Sequence, residues 1–255
     1  ITIRGNLLYA MVSADAIRLE GSTDCSVINN TMDMFDQIVI GYNGIRLVDS
    51  PENRISNNTV ARMVNNGIMI SGTSYRNEIS HNYLDESSNV GVLVDSENNL
   101  IHHNIAFGNG WGIKVSGDDN LVSSNRLKRN GYGITLSGGH NNLVRENIAT
   151  RNFKGINVIS ALYNRIVDNY VAKSDSFGVE LYTNSGSGNQ VFANHCYYNN
   201  GSGASFKQEN VQASDLNPGN YWYNTTSERG NFWYDWRGVD GNSDGIVDLS
   251  YPVAG

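Results

Sequence analysis

Apolar and polar residues alternate in short runs along the chain, most cleanly in Ile113-Lys114-Val115, Ile134-Thr135-Leu136 and Val179-Glu180-Leu181, with Asn or Gly between runs. A period of two predicts β-strands, and the three-to-four spacing of an amphipathic helix is missing. The runs recur. Gly-Ile or Gly-Val pairs stand at Gly44-Ile45, Gly67-Ile68, Gly91-Val92, Gly112-Ile113, Gly133-Ile134, Gly155-Ile156 and Gly178-Val179, separated by 23, 24, 21, 21, 22 and 23 residues. A short turn after each pair comes an asparagine: Asn53, Asn77, Asn99, Asn120, Asn142, Asn164 and Asn189. Five residues later comes another: Asn58, Asn82, Asn104, Asn125, Asn147, Asn169 and Asn194. Self-similarity at this period predicts a solenoid, and the lack of a Leu-rich, helix-bearing signature excludes a leucine-rich horseshoe. The expected fold is all-β, a right-handed parallel β-helix of about eight coils. Each coil carries three short strands that pair with their counterparts roughly 4.8 Å away.

Ile, Val and Leu at the inward positions are expected to stack into aliphatic columns, each side chain contributing about 1.5–3 kcal/mol on burial. The asparagines suit turns because they tolerate left-handed backbone and can hydrogen-bond the same amide one coil on, so they read as scaffold. The repeat fades after Asn194, which divides the chain into β-helix repeats over 1–200 and a C-terminal capping segment over 201–255. Residues 201–219 read as an irregular loop. Tyr221-Trp222-Tyr223 and Phe232-Trp233-Tyr234-Asp235-Trp236 follow. These aromatics suit a lid over the last coil or a platform for sugar rings. Next, Asp240, Asn242, Asp244, Gly245, the Ile246 carbonyl and Asp248 fall at positions 1, 3, 5, 6, 7 and 9 of a calcium loop, with Tyr251 at position 12 where a bidentate Glu belongs. Calcium there needs a further ligand, for which Asp235 is a candidate.

A net charge of −7 argues against nucleic-acid or anionic-membrane binding. Cys25 and Cys196 lie about seven coils apart, roughly 34 Å, too far for a disulfide. No apolar stretch is long enough to span a membrane, and no signal peptide is visible. The chain starts in mid-pattern at Ile1, so a cap, further coils or a self-association partner is expected before it. Sequons at Asn29, Asn57, Asn200 and Asn224 arise easily by chance in so Asn-rich a chain.

The Gly-Ile-x-Leu and Asn-x-Ile-x-x-Asn repeat resembles that of the NosD-like right-handed β-helix proteins, themselves similar in fold to the pectate-lyase superfamily. The tail Gly230-Asn231-Phe232-Trp233-Tyr234-Asp235-Trp236 with Asp240 to Asp248 and Tyr251-Pro252 resembles the closing motif of that family. The resemblance implies either a periplasmic factor for maturing a copper enzyme or a secreted surface protein that binds, cleaves or epimerises acidic polysaccharides. The Asp-Pro-His-Asp motif associated with mannuronan epimerases is missing.

Chemistry on a β-helix is assembled from neighbouring coils. Counting back two residues from the first asparagine series aligns Tyr75, Glu97, Asp118 and His140, and counting back one aligns Glu52, Arg76, Asn98, Asp119, Asn141 and Tyr163. Arg76, Glu97, Asp118, Asp119 and His140 are thus the candidate catalytic set for a polysaccharide lyase or glycoside hydrolase, against the alternative of solvated turn residues. Asp118-Asp119 also resembles the paired aspartates of polygalacturonases. Arg129, Arg151 and Lys173 form a column that an anionic partner would relieve, and Trp111 and Tyr132 are placed to stack sugars. For copper, Met32 and Met34 offer thioethers, and His81, His102 and His103 offer imidazoles. The preferred expectation is a secreted or cell-surface β-helix that engages an acidic polysaccharide. A copper maturation factor and a structural surface-layer or filament module are the alternatives.

Overall fold

The computed structural model describes residues 1–9, 14–34, 42–182, 186–205, 207–236 and 251–254. The chain winds as a parallel β-helix with three sheets. Sheet A has nine strands, from Thr2–Arg4 to Gln190–Phe192. Sheet B has ten, from Leu7–Tyr9 to Phe232–Trp233, and sheet C nine, from Ile17–Glu20 to Ala213–Asp215. Every strand pairs in parallel with the one a coil away, as where Ile79 lies between Ile55 and Ile101. Among the described residues, helix is confined to a short 3-10 turn at Gln208–Asn210.

The period-two pattern becomes burial directly. Ile113 and Val115 are fully buried while Lys114 between them faces outward. In sheet B, Leu84, Ala106, Leu127 and Ala149 stack in register, so large and small side chains alternate along one core column. Cys25 and Cys196 are both free and buried.

The Gly-Ile pairs have a steric cause. A Cβ on Gly133 would lie 2.4 Å from the Gly155 carbonyl oxygen, and one on Gly112 would lie 2.6 Å from that of Gly133. Each glycine therefore makes room for the backbone of the next coil. Gly133→Ala is expected to lower stability by about 2 kcal/mol or more, because backbone has to move, and a thermal melt checks it.

Both asparagine series form continuous ladders. Asn125 N–H and Nδ2 both donate to Asn147 Oδ1, at 2.9 and 3.0 Å, and Asn147 repeats this with Asn169. The left-handed residue at each corner is not the ladder asparagine but the one before it: His81, His103, Ser124, Glu146 and Asp168 have φ between 53° and 57°. The amide is turned inward for the ladder, while its predecessor carries the strained backbone and points outward.

The sheets continue past residue 200. Ala213–Asp215 pairs with Val179–Leu181, and Phe232–Trp233 pairs with His195–Tyr197. At this end Trp233 is buried and stacks on Tyr251 at 4.2 Å between ring centroids. Asp235, 1% exposed, accepts hydrogen bonds from Gln212 Nε2 and from Tyr251 Oη. Its carboxylate is thus held inside the cap. The expected calcium ligands Asp240, Asn242, Asp244, Ile246 and Asp248 lie outside the described residues.

Candidate functional site

Sheet B presents the most developed outer surface. Its strands follow the second asparagine ladder, so the first and third residues point to the outer face and the middle one enters the core, although the small Ala172 at a third position is itself covered. A groove of about 540 Å³ runs across five of these strands. Tyr83, Ile105, Phe107, Ile148 and Tyr170 make an apolar and aromatic floor, and Arg126, Lys128, Arg151 and Lys173 supply positive charge. Ile105, Ile148 and Tyr170 are 42%, 37% and 42% exposed on one column, with Arg126 standing between the two isoleucines.

Arg129, Arg151 and Lys173 stand in file along one edge of this face, as their spacing predicted. Each is the left-handed corner residue after its strand, with φ of 58°, 55° and 56°. Each N–H donates to the next coil, Arg129 to Thr150 O, Arg151 to Ala172 O and Lys173 to Tyr197 O. All three are exposed, and none forms an ion pair with another described residue. The Arg129 guanidinium lies 5.7 Å from the centre of the Phe107 ring, which brings it over the floor. Two coils earlier the same corner carries Glu86, beside Asp85 and the Arg62–Asp33 ion pair. Burial and the neighbouring Glu86 push the Asp85 carboxyl above its ordinary value. The groove is basic from Arg126 to Lys173, and the surface beside its Tyr83 end is acidic.

The candidate catalytic residues lie on a different corner, between sheets C and A. Their alignment follows the counting: Asp119 N–H donates to His140 O at 3.0 Å, and Asn98 N–H to Asp118 O at 3.0 Å. Asp118 Oδ1 accepts from the His140 N–H at 2.7 Å, and His140 Nδ1 accepts from the Leu162 N–H at 3.1 Å. Both side chains thus cap backbone of the next coil. Arg76 turns the other way, to Glu52 at 3.3 Å and over the Tyr75 ring at 5.7 Å. Among the described residues no side-chain hydrogen bond or ion pair joins Glu97 or Asp119 to the rest of the set.

Trp111 and Tyr132 sit on the rim of sheet C, stacked at 5.5 Å and 10°. Each already has a cation over its ring, Lys114 for Trp111 and Lys154 for Tyr132. Beside them the structure shows a group that spacing did not reveal. Lys154 forms an ion pair with Glu180, with side chains 13% and 5% exposed, on the outward column Lys114, Thr135, Asn157, Glu180. Thr135 Oγ1 and Asn157 Oδ1 in that column are buried without a hydrogen-bond partner.

The copper candidates do not converge. Met32 and Met34 are buried in the core. His81, His102 and His103 do cluster, His81 stacking on His103 at 5.0 Å. However, His102 Nδ1 lies 2.8 Å from His103 Nδ1, and His102 Nε2 lies 3.2 Å from Glu78 Oε1, so both nitrogens of His102 are engaged within the cluster. Burial pulls the His102 imidazole below its ordinary value, against the raising effect of Glu78. Among the described residues no group of three His, Cys, Asp or Glu side chains is placed to hold a metal ion.

Residues 88–238 match the family described as periplasmic copper-binding protein (NosD). The chain belongs to the NosD family. A second match, to the right-handed β-helix region, covers residues 1–127. No curated protein matches the chain. Solved structures similar to this NosD-family chain include a double mutant of the periplasmic alginate epimerase AlgG, with a TM-score of 0.60 and 18% identity over 82% of this chain and 50% of that one. The enzymatically active domain of tailspike protein 2 of bacteriophage CBA120 gives 0.59 and 12% identity over 89% and 41%. XylC in complex with xylose gives 0.56 and 14% over 76% and 42%. The chain therefore spans half or less of the length of these proteins, and at such identities the likeness is one of fold. Among the described residues no helix is long and apolar enough to cross a membrane.

Proposed function

We propose that this chain binds an acidic polysaccharide laid along the outer face of sheet B, outside the cytoplasm. The observation that carries the reading is the file of Arg129, Arg151 and Lys173 beside an exposed apolar floor. Like charges one coil apart repel, and a polyanion relieves them, while the floor accepts the apolar faces of sugar rings. The names of the alginate epimerase and the xylose complex agree with a saccharide ligand, and the family description supplies the periplasmic setting. Binding, not turnover, is what the arrangement supports, because Arg76 is engaged by Glu52 and stands apart from Asp118 and His140. Copper handling is the weaker reading, because Met32 and Met34 are buried in the core and both nitrogens of His102 are engaged.

The test is titration with a polyuronate against a neutral glucan. Each Arg or Lys removed from the file is expected to weaken binding by roughly two- to fivefold, as exposed charge pairs do, and added salt should weaken it further. The combined variant Arg129→Ala/Arg151→Ala/Lys173→Ala should bind at least tenfold less tightly with an unchanged melting temperature. Equal binding of the neutral polymer, or wild-type affinity in the combined variant, overturns the reading.

A further inference from the structure

We infer that the glycan continues from the basic stretch toward the C-terminal end of sheet B, onto an aromatic platform made by Tyr170, His195, Tyr197, Tyr198, Phe232 and Tyr234. This rests on the saccharide reading above and specifies the direction, extent and chemistry of binding.

The platform follows from register. Tyr170, His195 and Phe232 are consecutive partners across three coils, as are Val171, Cys196 and Trp233. Alternation sends the second set into the core and the first set outward, so the cap strand does two jobs: Trp233 closes the end, while Phe232 and Tyr234 extend the outer face. The rings are contiguous. Centroid distances are 5.2 Å for Tyr170 and Tyr197, 5.4 Å for His195 and Phe232, 5.2 Å for Tyr197 and Tyr234, and 4.6 Å for Tyr198 and Tyr234. Tyr170, Tyr198 and Phe232 are 42%, 37% and 48% exposed. Aromatic surface of this kind suits a partner with one apolar face and a polar edge, which describes a pyranose ring.

Charge sets the direction. Asp85 and Glu86 stand on the strand and corner beside the Tyr83 end of the groove with like charge to the polymer, whereas among the described residues Asp168, before Tyr170, is paired with Arg229. Tyr170 belongs to both the groove floor and the platform, so the two surfaces are continuous. From the Arg126 strand to the Phe232 strand is five successive strands of sheet B. That is roughly 19 Å at strand spacing, a step per coil close to one sugar residue. The ligand is therefore a linear glycan of about five or more residues, anionic where it crosses Arg129, Arg151 and Lys173 and held by its ring faces beyond them.

Oligouronates of two to eight residues, titrated one length at a time, test this. Wild type should gain affinity with each residue up to about five or six and then level off. Tyr197→Ala/Phe232→Ala should bind the trimer like wild type and lose the further gain of the hexamer, about tenfold. Tyr197→Leu/Phe232→Leu gives the same answer if the alanine variant melts early. Arg151→Ala should weaken every length. A wild-type hexamer no tighter than the trimer, or a platform variant that keeps the gain, overturns the inference and leaves the binding proposal standing. If no oligomer binds in an Arg151-dependent way, both fall.

Discussion

Asn147→Ala is expected to lower the free energy of unfolding by about 4 kcal/mol, among the larger effects a single side chain of this size produces. Asn147 is fully buried. Its Oδ1 accepts two hydrogen bonds from Asn125, and its Nδ2 donates to Val122 O and Arg145 O, both at 2.9 Å, and to Asn169 Oδ1 at 3.0 Å. Alanine leaves the Asn125 N–H and the Val122 carbonyl short of a partner in a place water does not reach, at roughly 1–3 kcal/mol per group. A urea melt followed by circular dichroism reads the change. The adjacent Glu146 is the control. It carries the left-handed backbone, with φ of 56°, and its side chain points out to Ser124 and Arg145. Glu146→Gly relieves strain and loses weak surface contacts, so it should move stability by less than about 1 kcal/mol. Equal losses for the two variants would show that the ladder is not what holds the turn.

That contrast also marks what can be read along the chain and what cannot. The Gly-Ile spacing and the two asparagine series predict the β-helix, because the steric need for glycine and the amide ladder both demand one residue type at every coil. Counting back from those asparagines places Asp118 beside His140 and Arg76 beside Glu52 correctly. The ladders are nevertheless longer than the spacing suggests. Asn189 N–H donates to Asn220 Oδ1 and Asn194 N–H to Asn231 Oδ1, across 31 and 37 residues, because inserted loops break the period while the contact persists. A third ladder, Asn109, Asn130 and Asn152, covers too few coils to stand out.

The binding face is harder to read for a different reason. Outward positions obey no packing rule, so Tyr83, Ile105, Arg126, Ile148, Tyr170, His195 and Phe232 share a column in sheet B without sharing a residue type. Counting forward one and three residues from the second asparagine series assembles it, whereas counting back from the first assembles a corner where Asp118 and His140 cap backbone. The ladder is a ruler for every face of the solenoid, and chemistry has to be sought on each in turn.

Sheet C supplies the second large effect. Glu180→Gln is expected to cost about 3 kcal/mol or more, because it strands the Lys154 ammonium in a site where the side chain is only 13% exposed. Lys154 lies between the Tyr132 and Tyr182 rings, at 5.9 and 5.3 Å from their centres, which offer it some attraction but no hydrogen bond. Lys154→Met should lose a similar amount by leaving the Glu180 carboxylate, 5% exposed, without its cation. The double variant Lys154→Met/Glu180→Leu removes both desolvation penalties and keeps the volume, so it should recover most of the loss. Urea melts of Lys154→Met, Glu180→Leu and the double variant close a double-mutant cycle, with an expected coupling of about 4 kcal/mol or more. Additive losses would mean that the two charges act independently and that the pair is held in place by the coil, not the coil by the pair. A coupled result would identify the pair as a clamp between the strands Lys154–Ile159 and Val179–Leu181, next to the Thr135 and Asn157 oxygens that find no partner of their own.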